Sequence, residues 1–289
     1  MSVFNREMDR LKRELRSTRE IYLSNFDIGE CIPWRLLAES GVTHLNLMGY
    51  EMDSISDDIR LLKYTLVNLE IGGAFLSDLP DGFYELENLR EFMLESNSEF
   101  LTISSQIVRL TNLLKLDISL TRQYDLYWIN LLNGLKYLAC FEVSYVSSDD
   151  FAFPFDFRFP SSLVELDANG CDLSKMGDNW LTEMTELETL DIGKSELQCI
   201  PGDLAKLKKL RKLNIANNPS IRELPYSLLE LKNLEELDIS DNNFYSWPSD
   251  FSSLTNLKYV KAIDVDPELQ DALAGLPSVK YCETTRPVF

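Results

Sequence analysis

The sequence predicts an α/β fold: a curved, right-handed solenoid, or horseshoe, with a parallel β-sheet on its concave face and short helices or 3-10 turns on its convex face. Two observations predict it. Within residues 207–243, Leu210, Leu213, Ile215 and Asn218 recur 24 residues later as Leu234, Leu237, Ile239 and Asn242. The frame L-x-x-L-x-L-x-x-N then extends both ways, with its first position at Thr18, Val42, Leu66, Leu89, Leu113, Leu135, Leu163, Leu187, Leu210, Leu234 and Leu257. One such unit cannot bury its apolar side alone, whereas a stack of them shares one continuous core.

Within the frame, apolar residues two apart lie on one face of a short strand and the residues between them face the other way. The Asn that follows has an amide able both to donate and to accept, which suits backbone groups freed where the chain turns inward. These residues resemble the leucine-rich repeat family. The half-repeats 197–201 (LQCIP), 221–225 (IRELP) and 244–248 (FYSWP), with 76–80 (LSDLP), are similar to its intracellular Ras-group, Scribble-like subclass. The Asn column holds Asn only at Asn97, Asn218 and Asn242; Thr121, Cys171 and Ser195 are partial substitutes, and Phe26, Tyr50, Ala74, Val143 and Val265 are apolar.

In chain order, residues 1–17 read as an amphipathic capping helix, with Phe4, Met8, Leu11 and Leu15 at helical spacing. About eleven repeats follow over 18–265. Residues 31–41 read as a return helix closed by Gly41, and Phe83–Leu86, Ile107–Leu110 and Leu204–Leu207 as shorter return turns. The interval between Leu135 and Leu163 is long, at 28 residues, and holds a Phe-rich insert at 147–160. In an extended chain Phe151, Phe153, Phe155, Phe157 and Phe159 share one face, while Pro154 and Pro160 deny the segment a regular ladder. Two readings stay open there: rings packed on the convex core in place of a helix, or an aromatic docking surface. A C-terminal cap is expected over 266–289, with a helix from Asp266 stopped by Gly275 and a short strand at 278–281.

At 289 residues the chain suits one repeat domain, and no apolar run reaches the roughly 20 residues of a membrane span. Five scattered cysteines and a start lacking an apolar stretch suggest a cytoplasmic protein without disulfides, or an exported effector without a Sec-type signal. The net charge of −19 opposes nucleic acid and an anionic membrane and favours a basic protein partner.

Material for catalysis is sparse. His44 is the only histidine, there is no Gly-rich phosphate loop, and the carboxylates of 264–268 are too few for a calcium loop. No metal, no cofactor and no enzymatic activity are therefore expected.

What remains is a surface. The resemblance implies that the non-apolar strand positions line the concave face, where acids dominate: Glu91, Glu95, Asp117, Glu142, Glu165, Asp167, Asp191, Glu236 and Asp238. Near the middle, Met93, Leu120, Tyr137 and Phe141 form an apolar group within that charged rim, the pattern of a protein-binding hot spot. The expectation is a non-catalytic interaction module, such as a signalling scaffold, that binds a basic or mixed-charge protein. The alternatives are a secreted bacterial or parasite effector acting on a host protein, and a membrane-associated scaffold. Oligomeric state is not set by the sequence.

Overall fold

Apolar residues at the inward positions of the frame give very short strands, three residues each, whose middle side chain faces inward and whose outer two face away. The computed structural model describes residues 3–29, 31–50, 52–97, 103–121, 127–145, 153, 155 and 157–285. The chain divides into two compact units, the first reaching Leu138 and the second beginning at Ala139.

The first unit starts with helix α1 (Val3–Glu14) and helix α2 (Trp34–Glu39). Its strands are β1 (Glu20–Tyr22), β2 (His44–Asn46), β3 (Asn68–Glu70), β4 (Glu91–Met93) and β5 (Lys115–Asp117). All pair in parallel and in sequence order, so Ile21, Leu45, Leu69, Phe92 and Leu116 line up in register, each fully buried. Each such side chain contributes about 1.5–3 kcal/mol of burial. The chain returns through 3-10 turns at Asp57–Leu62, Asp81–Glu85, Ser105–Arg109 and Tyr127–Gly134. Ser56 and Ser104 cap two of them, their hydroxyls accepting from the N–H groups of Asp58 and Gln106.

In α1 Leu11 is the buried residue, joined by Leu15 just after the helix; Phe4, expected on the same apolar face, is exposed. Gly41 ends the α2 segment with a positive φ.

The second unit holds β6 (Cys140–Glu142), β7 (Glu165–Asp167), β8 (Thr189–Asp191), β9 (Lys212–Asn214), β10 (Glu236–Asp238), β11 (Tyr259–Lys261) and β12 (Tyr281–Glu283), again parallel and sequential. Two 3-10 turns, Gly202–Lys206 and Tyr226–Glu230, follow Pro201 and Pro225. Helix α3 (Pro267–Ala274) starts at an Asp266 carboxylate that accepts the Glu268 N–H at 2.8 Å. The strand expected at 278–281 forms three residues later, at Tyr281–Glu283, and makes a twelfth member of the stack.

The sixth repeat departs from the sequence frame. Its first inward position is Leu138, not Leu135: the backbone N–H groups of Val164 and Glu165 both donate to Ala139 O, as those of Leu114 and Lys115 do to Arg90 O after Leu89. Both 135 and 138 are leucines and both are buried, so apolar pattern cannot choose between them. With Leu138 the spacing becomes 25 residues on either side, Leu113 to Leu138 and Leu138 to Leu163. The long interval disappears and with it any true insertion. Val143 becomes an inward position rather than a member of the Asn column, and that column falls at 146, outside the described residues.

A second regularity holds the turns. The residue just before the column has a positive φ in repeat after repeat: Gly49, Gly73, Ser96, Leu120, Tyr145, Gly170, Lys194, Asn217, Asp241 and Asp264. This left-handed step aims its N–H at the next repeat, as in Ser96 N–H to Ser119 O (3.1 Å) and Lys194 N–H to Ala216 O (2.9 Å). At 170 only glycine fits, because a Cβ would lie 2.6 Å from the Tyr145 ring.

Column residues then satisfy the turn. Asn218 donates to the carbonyls of Ile192, Ile215 and Ala216 and accepts from the N–H groups of Ser195 and Leu197. The substitutes do less: Thr121 donates to Ile118 O, Cys171 to Val143 O, and Ser195 to Ala168 O and Gly193 O.

Candidate functional site

The sheet face opposite the 3-10 turns is built from the first and third residue of every strand, and the two rows differ in chemistry. In the third row the short Asp or Asn side chain accepts the N–H two residues on: Asn46 from Met48, Asp117 from Ser119, Asp167 from Asn169, Asp191 from Gly193, Asn214 from Ala216 and Asp238 from Ser240, all between 2.8 and 3.0 Å. These are Asx turns that steer the chain off the strand. Asp191 is engaged further, accepting from the amides of Asn169 and Asn214. Asp117 is buried. Part of the acidity read from the sequence is thus spent inside the fold.

The first row is mixed, with Asn68 buried and several members exposed. In the first unit Glu20, His44 and Glu91 are exposed. Asn68 donates to Glu91 Oε2 at 2.8 Å, and Asn46 donates to Glu70. Partial burial pushes the Glu70 carboxyl above its usual range; the Asn46 hydrogen bond opposes this, and the nearby charges of Glu20, Glu91 and Glu95 add to it. Met93 and Glu95 are half-buried beside it, and Leu120, half exposed, stands on the strand-exit edge at the left-handed step.

In the second unit the first row reads Cys140, Glu165, Thr189, Lys212, Glu236, Tyr259 and Tyr281. Glu142, Asp167, Asp191, Glu236 and Asp238 are half-buried and Glu165 is exposed. Lys212 pairs with Glu236 at 3.0 Å. Over β8–β12 the face forms a groove of about 460 Å³ lined by Asp191, Lys212, Asn214, Glu236, Asp238, Tyr259, Lys261 and Tyr281. The two tyrosines are adjacent in register, and Tyr281 was not among the residues expected on this face. The signal for Tyr281 was present, since Val279, Cys282 and Thr284 continue the frame.

Two expected members of the face lie elsewhere. Phe141 is the inward residue of β6 and is fully buried, its ring 6.3 Å from that of Phe159. Tyr137 is exposed but precedes the first inward position, on the strand-entry edge. Both follow from the three-residue shift of the sixth repeat. At the Tyr137 position other repeats carry an amide ladder that the sequence reading did not use: Asn112 donates to Glu87 O, Asn233 to Lys208 O and Asn256 to Lys232 O, each at 2.8 Å. Its sequence signal is the recurring Asn-Leu pair.

The four described phenylalanines of this segment do not share a face. Phe153, Phe157 and Phe159 are buried with centroids 4.8–5.3 Å apart, and Phe159 meets Trp180 at 5.7 Å. Phe155 is 72 % exposed, because the chain turns there against Gly177, whose N–H donates to Phe155 O. Phe151 lies outside the described residues. The packed-core reading of this segment holds for three rings.

Three basic residues close in sequence are paired with acids: Lys208 with Glu230, Lys209 with Glu186, and Arg211 with Glu188 and Glu235. The cationic neighbours Lys258 and Arg211 hold the Glu235 carboxyl below its usual range. All five cysteines are thiols, with Cys31 and Cys199 exposed. Among the described residues no group of His, Cys, Asp and Glu is placed to hold a metal ion, and no helix is long and apolar enough to cross a membrane.

Comparison with known proteins agrees with this architecture. The family "Leucine rich repeat" matches residues 161–219, and a second description of the same repeat matches 233–254. No curated protein sequence matches the chain. Among solved structures, an internalin of Listeria monocytogenes superposes with a TM-score of 0.61 at 18 % identity, covering 96 % of this chain and 89 % of its own. A leucine-rich repeat protein of Leptospira interrogans gives 0.58 at 18 % identity, covering 96 % and 87 %. The plant peptide hormone receptor RGFR1, solved with RGF2, gives 0.55 at 21 % identity, covering 90 % of this chain and 47 % of its own. The cytoplasmic assignment does not hold: chains that share this fold include internalins and receptors, and a scatter of cysteines with a polar start does not separate this chain from them. Leucine-rich repeats are thus matched over residues 161–219 and 233–254, both within the second unit, and the rest of the chain shares the fold of leucine-rich repeat proteins.

Proposed function

We propose that the chain is a non-catalytic recognition module that holds a protein partner against its open sheet face. The observation that carries this reading is the division between the two rows. Third-row carboxylates close Asx turns, whereas first-row Glu91 and Glu165 stand exposed to solvent. In the second unit the groove adds the exposed rings of Tyr259 and Tyr281 to a polar surround, and aromatic anchors with a charged rim suit a protein partner. A net charge of −19 favours a basic or mixed-charge surface on that partner.

Of the settings for such a module, an exported effector acting on a host protein fits better than an intracellular scaffold, because internalins and receptors are among its fold neighbours. Placement in the Ras-group subclass is supported only by the Pro-ended half-repeats, Pro201 and Pro225 each leading into a 3-10 turn.

The test is capture of partners at low and high salt by wild type, by Glu91→Lys and by Glu165→Lys, with Asp117 left intact because it is buried and closes a turn. The expected result is a salt-sensitive partner lost from at least one variant while circular dichroism is unchanged. A partner held equally by both variants would refute the acidic face.

A further inference from the structure

The groove of the second unit is close to charge-balanced in a chain of net charge −19: carboxylates of Asp191, Glu236 and Asp238 line it together with the ammonium groups of Lys212 and Lys261. Most of these charges are already met inside the fold. Lys212 pairs with Glu236 at 3.0 Å, and Asp191 accepts from the Gly193 N–H and from the amides of Asn169 and Asn214. The groove thus has little excess of either sign with which to hold an ion, and the field of the whole chain turns anions away.

Other groups in the groove are uncommitted. The Tyr259 ring is 49 % exposed on the sheet face, with Tyr281 beside it in register. Among the described residues the hydroxyls of Thr189 and Tyr259 and the Lys261 ammonium have no polar partner. Asp238 engages only Oδ1, which accepts the Ser240 N–H at 3.0 Å. A ring face, free donors and a free acceptor therefore share a volume of about 460 Å³, which lies within the range of small-molecule sites. The backbone adds nothing, because each of β8–β11 is paired on both sides. An extended peptide lying here would bring an N–H and a C=O at each residue with no ladder to receive them.

We propose that this groove binds a short neutral oligosaccharide. A sugar ring has an apolar C–H face that packs on a tyrosine ring, and a rim of hydroxyls that both donate and accept. Neighbouring hydroxyls can donate to the Asp238 and Glu236 carboxylates and accept from Lys261, Thr189 and the Tyr259 phenol. A neutral ligand is also indifferent to the net charge, so its binding is insensitive to salt. This binding goes beyond the capture of a protein, for which exposed Glu91 and Glu165 stand outside the groove.

The experiment is saturation-transfer NMR and titration of the full chain with maltotriose, chitotriose and mannotriose, each at low and high salt. At least one trisaccharide is expected to bind with millimolar affinity, unchanged by salt. Tyr259→Phe, which keeps the ring, is expected to weaken binding by less than about tenfold, and Tyr259→Ala by more. Lys261→Ala is expected to weaken it several-fold. Tyr245→Ala, whose ring is 75 % exposed outside the groove, and Glu91→Lys are expected to leave it unchanged. Circular dichroism checks that each variant is folded. Absence of binding by all three sugars, equal affinity in Tyr259→Ala and wild type, or affinity that falls with salt overturns the proposal. Loss of sugar binding with a salt-sensitive protein partner still captured overturns the sugar site alone and leaves the acidic face standing.

Discussion

Replacing Asn218 with alanine removes a side chain that holds an entire turn by hydrogen bonds. Asn218 is fully buried and makes five hydrogen bonds to backbone: donation to Ile192 O (2.9 Å), Ile215 O (3.0 Å) and Ala216 O (3.2 Å), and acceptance from the N–H groups of Ser195 (3.0 Å) and Leu197 (3.1 Å). The three carbonyls share two amide protons, so the bonds are not independent. The two N–H groups have only the Asn218 oxygen to accept them, and a buried group left unsatisfied costs about 1–3 kcal/mol. Two such groups plus the weakened carbonyls make about 3–5 kcal/mol. Thr121→Ala removes the donation to Ile118 O and is expected to cost less, about 1 kcal/mol. Because repeats couple chiefly to their neighbours, the Asn218→Ala loss should concentrate in the second unit. The assay is urea unfolding followed by circular dichroism, with hydrogen exchange at the Ser195 and Leu197 amides. Equal costs for the two variants, or exchange protection at Ser195 and Leu197 unchanged, would refute the claim that the column amide holds this turn.

Two further outcomes follow from the same geometry. Leu120 is half exposed and sits at φ 56°, a conformation costing a non-glycine residue about 1–2 kcal/mol; Leu120→Gly should stabilise by roughly 0.5–1 kcal/mol after glycine's entropy is charged, read as a higher urea midpoint. A loss instead would mean that the Leu120 side chain packs on something that earns its strained backbone. Glu70 is held above the carboxylate reference of 4.5 by burial first, so between that value and its raised pKa the folded state binds more protons than the unfolded one. Stability contributed there therefore falls as pH rises, and Glu70→Gln should raise the melting temperature at neutral pH and leave it unchanged near pH 4, as thermal scans across pH would show.

Much of the solenoid can be read directly from residue order because its determinants are local. Leu210, Leu213 and Ile215 mark inward positions through spacing alone, Pro201 and Pro225 announce the turns, and Asp266-Pro267 with Gly275 brackets α3. The sixth repeat resisted because Leu135 and Leu138 satisfy the same pattern three residues apart, and the choice belongs to the neighbouring strand, through the bonds from Val164 and Glu165 to Ala139. Tyr137 and Phe141 were misplaced by that one ambiguity. The phenylalanines failed differently: alternation puts rings on one face only if the chain stays extended, and it turns at Phe155 against Gly177.

The sequence by itself determined the repeat frame, where most strands run and the net negative charge, since periodicity and charge are sums over residues and need no coordinates. Only the tertiary structure decided which carboxylates are free to meet a partner. Asp191 and Glu165 are equivalent as letters, but one accepts three hydrogen bonds from Gly193, Asn169 and Asn214 while the other stands exposed on the sheet face. That difference depends on which donors neighbouring repeats bring within 3 Å, a property of the stack and not of any one repeat.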